Sequence, residues 1–158
     1  MRRAALTALL GLLAVVAGAH PAPNSMLRLE FRADGVRVEY WVPESELAYA
    51  RAADPGGDFP AYLLRHVGAE SRDGKPWRLT VGAVRETTYL DHPYVVADLR
   101  LTPPAGTPTK DFVLIDDAVT HEVRNHVVFV TARRGREQGS DLLGALQYPA
   151  RRLRVAAP

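Results

Sequence analysis

The sequence predicts a mainly β domain: an antiparallel two-sheet sandwich, Ig-like in type, with one helix inserted after the first hairpin. Three features point there: a hairpin signature between residues 27 and 40, one amphipathic helical stripe after it, and a run of short apolar segments separated by turn residues.

Ahead of the domain stands an export signal. Arg2 and Arg3 are followed by an apolar run from Ala4 to Ala17, interrupted only by Thr7 and Gly11, and then by Ala17-Gly18-Ala19. A basic start, an apolar stretch and an A-x-A end form a cleavable secretory signal over residues 1–19, which leaves a domain of residues 20–158. The run is shorter than the ~20 residues a spanning helix needs, which disfavours a retained anchor. A cut after Ala17 is the main rival to one after Ala19.

The hairpin comes next. Leu27, Leu29 and Phe31 alternate with Arg28, Glu30 and Arg32, Asp34-Gly35 offers a two-residue turn, and Val36, Val38 and Tyr40 alternate with Arg37 and Glu39. With that turn Phe31 faces Val38 and Leu29 faces Tyr40, so the apolar side chains share one face. The same register sets Arg32 against Arg37 and Glu30 against Glu39, like charges that pair badly. Tyr40 and Trp41 then point to opposite sides, one into the core and one outward.

Pro43-Glu44-Ser45-Glu46-Leu47 reads as a short helical turn, and Asp54-Pro55-Gly56-Gly57 as a loop. Asp58 caps a helix carrying Phe59, Leu63 and Val67 on one stripe and stopping near Gly68; His66 is expected on its surface. Strands are expected over 77–89, 94–102, 112–117, 126–133 and 151–156, with turns at Asp91-His92-Pro93, Pro103-Pro104-Ala105-Gly106 and Gly135-Arg136-Glu137-Gln138-Gly139. With the hairpin, this makes seven strands.

Composition narrows the function. Removing Arg2 and Arg3 from the 20 Lys and Arg leaves the mature chain balanced against its 18 Asp and Glu. A neutral domain offers no field for nucleic acid. No segment after the signal is long and apolar enough to cross a bilayer. The chain has no cysteine, so an exported domain of this size must be held by its core. It also lacks a G-x-S-x-G elbow, a Gly-rich phosphate loop and an H-E-x-x-H helix. Glu86, Asp91 and His92 have no nucleophile beside them, and a turn before Pro93 explains Asp91. A non-enzymatic role is expected.

The histidines carry the remaining chemistry. Cleavage after Ala19 frees His20, whose α-amine and Nδ1 can chelate one ion. Pro21 has no N–H, which closes the rival mode through a deprotonated amide. His121-Glu122-Val123-Arg124-Asn125-His126 supplies two further imidazoles. On a regular strand His121 and His126 point to opposite faces, so they meet one ion only if the segment bends. Asp116 and Asp117, just upstream, are placed to donate oxygen or to orient a ring. The expected metal set is His20, His121 and His126, and the amine and imidazole donors suit copper, nickel or zinc.

The stretches His20-Pro21-Ala22-Pro23-Asn24-Ser25, Asp34-Gly35-Val36-Arg37-Val38-Glu39, Pro43-Glu44-Ser45-Glu46-Leu47, His121 to His126 and Gln147-Tyr148-Pro149 together resemble the extracytoplasmic N-terminal region of bacterial HupE/UreJ-like membrane proteins. The resemblance implies a domain on the periplasmic or extracellular face of the cytoplasmic membrane, beside a polytopic membrane partner that handles nickel or related metals. The chain as given ends at Pro158, where that membrane domain would begin, so no transport activity is carried over. What is carried over is an accessory or sensing role. Two alternatives stand beside it: a protein- or glycan-recognising module without metal, and a copper-dependent oxidative enzyme similar to the lytic polysaccharide monooxygenases, which also start with His. The short chain argues against the latter.

Overall fold

The structure is a computed structural model that describes residues 23–133 and 139–158. The expected signal peptide, His20 and most of the turn at 135–139 lie outside the described residues. Nine strands and two helices follow in order: β1 (Ser25–Arg32), β2 (Gly35–Pro43), α1 (Glu44–Ala53), α2 (Phe59–His66), β3 (Val67–Glu70), β4 (Arg78–Tyr89), β5 (His92–Thr102), β6 (Asp111–Asp116), β7 (Val128–Arg133), β8 (Ser140–Leu146) and β9 (Arg152–Ala156). They form a two-sheet β-sandwich, with a six-stranded sheet ordered β4-β5-β2-β1-β7-β8 and a three-stranded sheet ordered β3-β6-β9.

The first hairpin forms, but in a different register. The turn residues are Ala33-Asp34, and the pairs are Phe31 with Val36, Leu29 with Val38, Glu30 with Arg37 and Arg28 with Glu39. A two-residue slip keeps every apolar side chain on the same face and removes the like-charge facings, setting Glu30 opposite Arg37 and Arg28 opposite Glu39 without closing an ion pair between them. Gly35 makes it possible. Its φ is +150°, and a Cβ there would lie 2.4 Å from the carbonyl oxygen of Leu101 on β5.

Four further details differ from the expectation. Residues 44–53 are a full helix, with Glu44 and Glu46 in its first turn and Arg51 in its last, complementing the helix dipole. Val67 ends the helical stripe by opening β3, and β8 is a strand the sequence pattern hides. The sandwich is also not wholly antiparallel, since β1 pairs parallel with β7. Asp58 caps α2 as expected, accepting a 2.9 Å bond from the Ala61 N–H.

The core lies between the sheets. Leu27, Leu29, Val36, Val38, Tyr40 and Val42 of the large sheet bury against Phe112, Leu114 and Val155 of the small one, with Tyr62 and Leu63 of α2. Trp77 packs against Phe112 with ring centroids 4.6 Å apart and planes tilted by 33°. Tyr40 faces this core, while Trp41 faces outward under the Arg28 guanidinium, 4.4 Å from its ring.

Strand direction sorts the loops into two groups. The starts of β1, β3, β7 and β9 and the ends of β2, β6 and β8 gather at one end of the sandwich, together with the 117–127 segment. β9 runs away from that end, and Pro158 lies near Phe31, Arg32 and Lys110 beside the first hairpin turn.

Candidate functional site

The end that collects 117–127 holds three of the histidines. His66 is the last residue of α2, and β3 begins directly after it by pairing Val67 with Asp116. That register, with a 3.1 Å bond from the Asp117 N–H to the His66 carbonyl, sets the two side chains against each other. His66 Nδ1 lies 2.9 Å from Asp117 Oδ1, and its Nε2 lies 3.0 Å from Asp54 Oδ2. Asp54 follows α1 and is also gripped by Arg65 through Nε and Nη2, while Arg151 Nη1 bonds Asp117 Oδ2 at 3.0 Å.

A ring with a carboxylate on each nitrogen is an imidazolium. The bond to Asp117, reinforced by Asp54, raises the His66 pKa above its ordinary value. Reciprocally, the bond from His66, with Arg65, brings Asp54 down to about 2. The Tyr62 ring lies 4.4 Å from the His66 ring, and the Tyr62 hydroxyl donates to the Ala118 carbonyl. His66 is thus a fixed, mostly enclosed cation: it is no ligand, as expected, but it is half-buried by its two carboxylates where a plain surface residue was expected.

His121 packs flat on it, with centroids 4.5 Å apart and planes 17° apart. The 117–123 segment coils in helix-like turns, so His121 sits four residues beyond Asp117 and bonds the Asp117 carbonyl with both its N–H at 3.2 Å and its Nδ1 at 2.7 Å. A carbonyl only accepts, so Nδ1 carries the proton and Nε2 presents its lone pair. That Nε2 is shielded from solvent and has no hydrogen-bond partner. His121 lines a cleft of about 300 Å³ with Thr120, Tyr148 and Arg151.

His126 turns the other way. It is 2% exposed, and its Nε2 receives the Ser25 hydroxyl at 2.8 Å and the Ser25 N–H at 3.2 Å, so its proton belongs on a buried, unpartnered Nδ1. Burial lowers its pKa to about 4. The bend expected between His121 and His126 is present, yet it separates the rings: one stacks beneath α2, and the other fastens the start of β1. Asp116, fully buried, is raised to about 6 by desolvation, with the Tyr40 hydroxyl 2.9 Å from its Oδ2 and the Ala118 N–H 3.0 Å from its Oδ1.

Among the described residues no three His, Asp or Glu side chains group closely enough to hold a metal ion. A donor set from these residues needs a further ligand, and His20, the expected source, lies outside the described residues. The orphaned Nε2 of His121 fits a ligand role, because its tautomer is already set by a backbone carbonyl. His66 has both nitrogens occupied and does not fit one. Asp117 has the ring-orienting role open to it from the sequence. Sequence reasoning passed over His66 because its two partners stand 12 and 51 residues away, beyond any local spacing.

No helix among the described residues is long and apolar enough to cross a membrane. No protein-family model matches the chain, and no curated protein matches it.

Proposed function

We propose that this is an exported, non-enzymatic accessory or sensing domain, working beside a polytopic membrane partner of the HupE/UreJ-like, metal-handling kind. In this reading the histidine-bearing end takes up copper, nickel or zinc through the amine and ring of His20 together with His121. His126, also expected as a ligand from the sequence, serves as the anchor.

One observation carries the reading. Both the hydroxyl and the N–H of Ser25 are tied to His126, so the chain enters the described structure at the histidine-bearing end. Four residues separate Ser25 from His20, and the five Cα-to-Cα steps between them span at most ~18 Å. The freed terminus therefore starts within reach of the 117–127 segment, and the partnerless Nε2 of His121 supports a role for that ring.

The test is a titration of the protein beginning at His20, and of a version with one extra residue before it, with copper(II), nickel(II) and zinc(II). Tight binding should weaken by about tenfold or more in the extended version and in His121→Gln, since each removes one donor. Equal, weak binding by all three forms overturns the metal site.

A second reading, an interaction module without metal, draws on the β4–β5 hairpin tip. Leu90 is 73% exposed there with φ of +48°, and Asp91 follows at +63°, a turn that ordinarily takes Asn or Gly. The titration separates the two readings.

A further inference from the structure

The outward face of the large sheet, away from the histidines, holds a groove of roughly 440 Å³. It follows from strand register. Side chains that face one another on neighbouring strands, about 4.8 Å apart, form rows across the sheet. One row runs Glu30, Arg37, Arg100, Thr80, and the next runs Arg28, Glu39, Asp98. The β4 bulge between Val81 and Val84 brings Gly82 beside Asp98, so on its β4 flank the second row is met by the Arg85 side chain reaching past a residue that has none.

The pairing of these charges is uneven. Glu39 is held by Arg85 at 3.2 Å and Arg133 at 3.6 Å, and Asp98 by Arg85 at 2.9 Å. Glu30 is taken by Arg32, and Arg100 by Asp34. Arg28 and Arg37 have no carboxylate among the described residues within ion-pair distance. They stand on adjacent strands in the same groove. Arg28 is held in place by the Trp41 ring and by a 3.9 Å bond from its Nη2 to the Met26 Sδ, which leaves its remaining N–H donors to bond elsewhere.

We infer that this groove binds a hydroxylated carboxylate of the uronate type, its carboxylate on Arg37 and Arg28 and its hydroxyls on the oxygens of Glu30, Glu39 and Asp98. Two free planar donors match one carboxylate. Three carboxylates beside them, fixed by their own arginines, accept from hydroxyls, which a polyphosphate or a polyacidic peptide does not offer. The volume lies within the ordinary small-ligand range of about 300–1,000 Å³, and strands give the site a rigid floor.

The test is calorimetric titration of the protein with galacturonate, polygalacturonate, fully methyl-esterified polygalacturonate and poly-glutamate. The free acid should bind and weaken with salt, while the methyl ester and poly-glutamate should not. Binding of the monomer identifies a free sugar acid as sufficient, and binding of the polymer alone identifies a chain. Arg37→Gln and Arg28→Gln, both on the exposed face, should each weaken binding by about tenfold, and Arg151→Gln, at the other site, should not. Absence of binding to either free acid, equal binding of the ester or of poly-glutamate, or unchanged binding in the Arg28, Arg37 double variant of confirmed fold would overturn the inference.

Discussion

His66 and His126 flank the same segment of chain and end in opposite electrical states. His66 is enclosed between Asp54 and Asp117 and holds its proton above the usual range, whereas His126 is buried with its ring bonded to Ser25 and no carboxylate, and gives its proton up at about 4. Burial alone discharges an imidazole; burial with carboxylates at both nitrogens charges it. The 117–127 segment makes the difference, because it begins with the acid that charges one ring and ends with the ring it buries uncharged.

The largest effect is expected from His126→Ala. Removing a nearly inaccessible ring leaves a cavity and a buried Ser25 hydroxyl without its acceptor, a loss of about 2–4 kcal/mol. The folded pKa lies below the unfolded one, so the wild-type ring contributes least in acid. The loss measured by denaturant unfolding should be full at pH 7–8 and shrink as pH falls from 6.5 toward 4. A loss that grew in acid would break the contrast between the two rings.

Asp117→Asn should give the opposite slope. His66 has a raised folded pKa, so its pairing stabilises fully below about 6.5 and fades as pH rises through the folded value. The expected loss is about 1–3 kcal/mol at pH 6, declining toward pH 9. A flat profile would show that His66 is not the cation the geometry makes it. Arg151→Gln sharpens the picture from below: the guanidinium is 66% exposed, and its removal should cost about 0.5 kcal/mol or less and vanish in high salt.

Much of the fold was legible in the residues, and its gaps have physical reasons. The period of two in Leu27 to Tyr40 is unmistakable, but two registers preserve it, and the Asp-Gly signal favours the wrong one. The clue was the like-charge pairing, which a two-residue slip relieves. α1 buries only Leu47 and Ala50, so its apolar stripe is thin. β8 lost its alternation to the irregularity opposite Val130 and Thr131, which turns Leu142 outward and lets Leu143 pack on the core. The site was less legible. His121 stood out as a possible donor and Asp117 as a ring-orienting group, while the charge on His66 arises from three elements meeting and leaves no trace in local spacing.

The direction of β9 bears on how such a molecule can be moored. A leash tied after Pro158 grips it by the heel, at the first hairpin turn, and swings the imidazoles out toward the open compartment. A leash tied ahead of Asn24 grips it by the head and presses them against whatever holds it. The same fold is therefore an antenna or a plug, according to which terminus is fastened.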